Sequence, residues 1–212
     1  MGKINQGILG GFSGKVGSVV GGSWKGISYM RGKAVSTKRT LTLQQMKHCS
    51  KFALAIATLQ PITAFVRIGF KRYAHGQSAF NAVMSHTFKH AILGAYPNYM
   101  IDYPGLLVAR GTLTGANNAV ATAVSSKIKL TWENNSGIGE AQPTDKAMAV
   151  VINPAKGEAA YITEGAMRSA KSELLSVSPF WVGDEVHTYL TFISEDGREV
   201  ATSNYCGAIT VV

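Results

Sequence analysis

The sequence predicts an α+β protein, with an N-terminal glycine-rich β-hairpin and a helical segment followed by an antiparallel β-sandwich. Three observations predict it. Residues 1–33 contain ten glycines among short β-branched and aromatic runs. The next stretch places apolar residues at helical spacing between capping and breaking residues. From Leu106 onward, short apolar runs alternate with turn sequences. Two domains are expected, 1–101 and 102–212, because the charge changes there. The chain carries a net +9. Residues 1–101 hold thirteen Lys or Arg and no Asp or Glu, while residues 102–212 hold eight Lys or Arg and twelve acids. The halves therefore differ in sign, +13 against −4. Globular surfaces ordinarily mix the two signs. The partners of so many cations are expected in the C-terminal half, another copy, or a polyanion.

Within the first half, VGSVVGGSWKGISYMR reads as a hairpin. Val16–Gly22 forms one arm, Ser23–Gly26 the turn and Ile27–Arg31 the other arm. The run GGFSGKVGSVVGG, residues 10–22, is not a phosphate loop. G-x-x-x-x-G-K-[ST] would need glycine at Leu9 and a hydroxyl at Val16. The glycines are expected to allow close approach of a neighbouring strand. AVSTKRTL is a basic connector. Thr42 and Gln45 then form a capping box for a helix carrying Leu43, Met46, Ala53, Ile56 and Leu59. Pro61 opens a second helix running to about Ala74. Ser78 caps a third that ends at Gly94. Phe65, Ile68, Phe80, Val83 and Phe88 are expected inside, and Arg67, Lys71, Arg72, His75, His86, Lys89 and His90 outside or along edges. FALAIATLQPITAFV is expected to be a buried stretch broken at Gln60–Pro61 and too short to span a bilayer.

In the second half, LLVARGTL, KIKLTWE, KAMAVVIN, AAYITE, SAKSELLS, EVHTYLTFIS and EVATSNYCGAITVV read as seven strands. GANN, NNSG, PAKG and EDG punctuate them. An Asp-Gly turn joins the last two, with Val186, Tyr189 or Leu190, Phe192 and Val200 facing inward. This half resembles fibronectin type III and related immunoglobulin-like domains, although no Cys…Trp…Cys spacing is present. The first hundred residues carry a second resemblance. GGFSGKVGSVVGGSWKGISYMRG, KRTLTLQQMK and TLQPITAFVRIGFKRYAHGQSAFNAVM resemble an uncharacterised bacterial family whose SGKVG openings recur in phage and prophage-type proteins. That resemblance implies a structural, assembly-type protein and supplies no catalytic residues.

The chemistry-bearing residues point the same way. His86 and His90 have zinc spacing, but the general-base glutamate is missing and no acid lies in that half. His48 and Cys49 are sequence neighbours that point apart on a helix, so Cys49 reads as a core thiol. Cys206 lies far away, and no disulfide is expected. Trp132 and Trp181 read as core residues, and Asp184, Glu185, Glu195, Asp196 and Glu199 as turn acids. No enzyme, cofactor, metal or small-molecule site is expected. The N-terminus lacks a secretory core, and Gln6 fails the myristoylation pattern. A cytoplasmic or virion-associated protein is expected. The leading function is non-enzymatic self-assembly, in which the basic half of one copy meets the acidic half of the next. The alternative is sequence-independent nucleic-acid binding. In either case the contact residues are Lys15, Trp24, Lys25, Tyr29, Arg31, Lys33, Lys38, Arg39, Lys47, Lys51, Arg67, Lys71 and Arg72.

Overall fold

The computed structural model describes residues 3–4, 10–35, 40–74 and 76–212. Lys38, Arg39 and His75 lie outside the described residues. The chain divides into two compact units, Met1–Thr42 and Leu43–Val212. The charge boundary at 101/102 is therefore not where the compact units meet. The helices belong with the C-terminal strands, because they share a core with them.

The N-terminal unit is a four-stranded antiparallel sheet in chain order: β1 (Lys3–Ile4), β2 (Phe12–Val16), β3 (Val19–Trp24) and β4 (Ile27–Gly32). The expected hairpin is its β3–β4 pair. Its loop is tighter than expected, only Lys25 and Gly26, with φ of 49° and 82°. Positive φ at both central positions matches the twist of the flanking strands.

The second unit opens with α1 (Leu43–Leu59), which starts directly after Thr42. A 3-10 turn, Gln60–Ile62, carries Pro61 into α2 (Thr63–Gly69). The expected break at Gln60–Pro61 is thus a continuous helical run, because proline needs no N–H partner in a first turn. The run, Leu43–Gly69, is long and apolar enough to cross a membrane by length and composition alone. Ala55, Leu59, Ile62, Phe65 and Val66 of this run pack into the core, while Leu43, Met46 and Phe52 are exposed. A 3-10 turn at Lys71–Tyr73 precedes α3 (Ala79–His90), where Ser78 Oγ accepts from the Asn81 N–H at 3.1 Å as expected of a cap. The third helix stops four residues short of Gly94. β5 (Ile92–Ala95) and β6 (Asn98–Ile101) form a hairpin there instead, with Gly94 at φ 87° against the carbonyl of Asn98.

Seven strands follow: β7 (Asn117–Val124), β8 (Lys127–Glu133), β9 (Lys146–Asn153), β10 (Glu158–Ile162), β11 (Ser172–Ser176), β12 (Glu185–Ile193) and β13 (Asn204–Thr210). They form two antiparallel sheets, ordered β10-β9-β12-β13 and β11-β8-β7. LLVARGTL is not the first strand. It is an irregular segment whose Leu106, Val108 and Ala109 sit in the helix-side core, held where the Arg110 N–H reaches Gly69 O. The first strand is instead NNAVATAV, part of which reads as a turn.

The four-stranded sheet is covered on both faces. Leu190, Phe192, Val186, Ala149 and Val151 pack on Ile128, Leu130 and Trp132 of the other sheet. Tyr189, Ile193, Met148, Val150 and Ile152 pack on the helices. Both Tyr189 and Leu190 are therefore inside, on opposite faces. The result is three layers, helices on sheet on sheet. KAMAVVIN is apolar at nearly every position for that reason, because a strand with two dry faces has no alternation.

Candidate functional site

The N-terminal sheet gathers the first group of predicted contact residues. Val20 pairs with Arg31 and with Lys15, Gly22 with Tyr29, and Trp24 with Ile27. Alternation therefore puts Lys15, Arg31, Tyr29, Ile27 and Trp24 on one face. Lys25 sits in the turn, 4.8 Å from the centroid of the Trp24 ring, within cation–π range. Lys33 follows β4, its N–H on Ser18 O. All six residues of β4 are exposed, with Ile27 67%, Met30 71% and Tyr29 46% accessible, and Trp24 beside them at 64%. β4 is also an edge, paired only with β3 among the described residues. Bare apolar edges of this kind invite pairing or docking.

The glycines shape both faces of the sheet. A Cβ on Gly22 would stand 2.9 Å from the Tyr29 ring, and one on Gly21 would strike the Phe12 carbonyl and ring. The aromatic rings of neighbouring strands occupy the room that the glycines leave, which is the close approach expected of them.

The second group lies on the helical side of the other unit. Lys47 and Lys51 are one turn apart on α1, and Lys51 Nζ is 5.0 Å from the Tyr99 ring centroid. Arg67 is exposed on α2, and Lys71 and Arg72 are on the following turn. Arg72 pairs with Glu199. Among the described residues it is the one predicted cation that finds a carboxylate.

The acids are partly committed within the chain. Hydrogen bonds from Asn153 Nδ2 at 2.8 Å and from Lys156 hold the Asp184 carboxyl below its usual range. Ser194 Oγ and the Arg198 N–H do the same for Asp196, which closes the predicted Asp-Gly turn with Gly197 at φ 68°. Glu199 takes Arg72 and Thr112. Glu185 and Glu195 remain exposed and make no ion pair among the described residues.

The family match extends well beyond the first hundred residues that carry the resemblance. A family described as one of unknown function, DUF6266, matches residues 11–207. The chain belongs to that family. No curated protein matches it. Its DUF6266 region takes in both units, from β2 of the exposed sheet to β13.

Other predicted residues fall as follows. Trp132 and Trp181 are core residues, the first edge-on to Phe192 at 5.5 Å and the second donating from Nε1 to Glu158. Cys49 is not a core thiol: it is exposed, on the outer side of α1. Cys206 is half-buried, and burial pushes its thiol up to about 12. His48 packs on Phe88 at 5.2 Å. The most enclosed polar hub is Arg168, fully buried. It donates to Asp145 Oδ2 (3.1 Å), Asn135 Oδ1 (2.6 Å), Thr114 O (2.9 Å) and Gly115 O (3.2 Å), with its guanidinium over Phe192. Its role is to tie the sandwich loops together. Nothing in the composition singled it out, because one arginine among eight cations in that half carries no local signal.

Proposed function

We propose that this is a non-enzymatic structural protein that self-associates or docks in a larger particle such as a virion or surface assembly. The N-terminal sheet is the docking element. One observation carries the reading: β4 is an edge strand whose Ile27, Tyr29 and Met30 are exposed among the described residues, in a segment with no acid of its own. The partner is the segment 102–212 of a neighbouring copy, whose eight cations and twelve acids complement the N-terminal cations and whose Glu185 and Glu195 make no ion pair among the described residues. A contact between unlike patches is heterologous and builds rings or filaments. The strand orders support a fibronectin III-like reading of the sandwich. Relative to the seven-strand immunoglobulin arrangement, the fourth strand has moved from one sheet to the other.

Sedimentation velocity on nuclease-treated protein tests the assembly. A discrete large species that shrinks at high salt and in Arg31→Glu/Lys33→Glu is expected, since screening weakens exposed charge contacts. A monomer at both salts defeats the reading.

One observation favours a second reading, sequence-independent nucleic-acid binding: Trp24 and Tyr29 are exposed beside Lys15, Lys25 and Arg31, as in stacking surfaces for bases. It predicts copurifying nucleic acid, read as a raised 260/280 nm ratio, that is lost in the same double variant.

A further inference from the structure

The region around the C-terminal half of α3 holds a small polar cavity of about 190 Å³. Ser85, His86, Lys89 and His90 line it from the helix, Gln77 from just before it, and Arg110 from the segment before the sandwich. Four of these six side chains are cationic or become so on protonation, and no carboxylate lines the cavity. Arg110 is held in place from two directions. Its N–H donates to Gly69 O at 2.9 Å, and its guanidinium carbon lies 4.2 Å from the Tyr73 ring centroid. The His86 and His90 rings are 4.8 Å apart. Nδ1 of His86 is buried and has no hydrogen-bond partner among the described residues.

Such a cluster is incomplete as it stands. Polar atoms shut away from water are normally paired, and like charges at this spacing repel. A divalent cation does not fit, because two imidazoles would share it with a lysine and an arginine and no anionic ligand. An anion fits. A planar guanidinium offers paired N–H donors to an oxyanion, and lysine and imidazolium add charge-assisted bonds. Size restricts the choice, since pockets for drug-sized ligands run from about 300 to 1,000 Å³. This one suits an ion-sized group.

We propose that the cavity between α3 and Arg110 is a binding site for a tetrahedral oxyanion of the phosphate class, with Arg110 and the His86–His90 pair as its principal contacts. This site is independent of the exposed β2–β4 sheet and does not rest on the assembly reading. It is also pH-dependent. Burial first, then the neighbouring His90 and Arg110, hold the His86 imidazole below its ordinary value. An oxyanion stabilises the protonated ring, so binding takes up a proton. Among the described residues, the other titratable groups lining the cavity are His90 and Lys89 on the same helix, Tyr73 on the 3-10 turn and Arg110 before the sandwich.

Calorimetric titration of the full chain with sulfate tests this, because sulfate does not titrate near neutrality. Ionic strength is held constant with chloride, and the imidazole proton resonances are followed in parallel. One saturable site per chain is expected, about tenfold tighter at pH 6 than at pH 8, since one unit of pKa shift corresponds to a tenfold change. His86 resonances should move downfield on binding. Arg110→Gln should abolish saturation, Arg110→Lys should restore part of it, and exposed His90→Gln should weaken it while leaving the fold intact. Lys15→Gln, on the other unit, should change nothing. Inorganic phosphate and glycerol phosphate then separate two sources. Equal affinity assigns a phosphomonoester group, and preference for inorganic phosphate assigns the free ion. Unsaturable sulfate binding, or undiminished binding in Arg110→Gln, overturns the proposal.

Discussion

Two sheets in this molecule have opposite relations to water. In the β10-β9-β12-β13 sheet, seven of the eight β9 residues are buried, and β12 is nearly as dry. In the β1-β2-β3-β4 sheet, β4 is exposed at every position. The first sheet is held by burial on both faces, at roughly 25 cal/mol per Å² of apolar surface removed from water. The second is held by its hydrogen-bonded ladder, its two-residue turn and the fit of Phe12 and Tyr29 over glycines. Those features specify register and shape more than they bury area. In the proposed assembly that sheet is one half of a contact.

Substitutions that act on one sheet and spare the other sharpen the contrast. Arg168→Ala should have the largest effect, because it leaves Asp145 buried without its charge partner. Breaking a buried pair from one side costs about 3–5 kcal/mol. Chemical denaturation followed by the Trp132 and Trp181 fluorescence should show it, and a loss below about 1 kcal/mol would mean that the Arg168 hub is not structural. Gly21→Ala should come next. Its added Cβ would strike the Phe12 carbonyl and ring, and forced packing of that kind costs about 1–3 kcal/mol. The cost should fall on the N-terminal sheet alone, read as faster hydrogen exchange of the β3 and β4 amides with the β9 amides unchanged. Ile27→Ala should have the smallest effect on stability, within about 0.5 kcal/mol for an exposed position. It should still lower the sedimentation coefficient of the assembled species. Unaltered assembly would show that this edge is not the contact.

The same contrast explains what the residues disclosed before the structure. β8, β9 and β12 match their expected runs closely because turn sequences flank them and their apolar content is high. β7 reads as a turn because NNAVATAV has only small apolar residues after two asparagines. LLVARGTL reads as a strand because it is apolar, but its burial comes from the seam between helices and sheet. The β5–β6 hairpin is hidden by AYPNYM, which looks like a connector. The aromatic and basic residues of the N-terminal sheet were visible as a candidate site, since glycine, aromatic and lysine alternate over a short span. The oxyanion cavity was not visible. Arg110 lies in the acidic half by sequence, and its contacts with Gly69 and Tyr73 bring it beside α3.

The helical layer has a practical consequence for anyone who divides this protein. A fragment starting at residue 102 would look like a complete sandwich by strand count. It would leave Met148, Val150, Ile152, Tyr189 and Ile193 as an uncovered oily stripe across the middle of the sheet, because those residues pack on α1, α2 and α3. Such a fragment should clump or stick to carriers during preparation. A cut near residue 42 keeps the helices and the strands they cover in one compact unit.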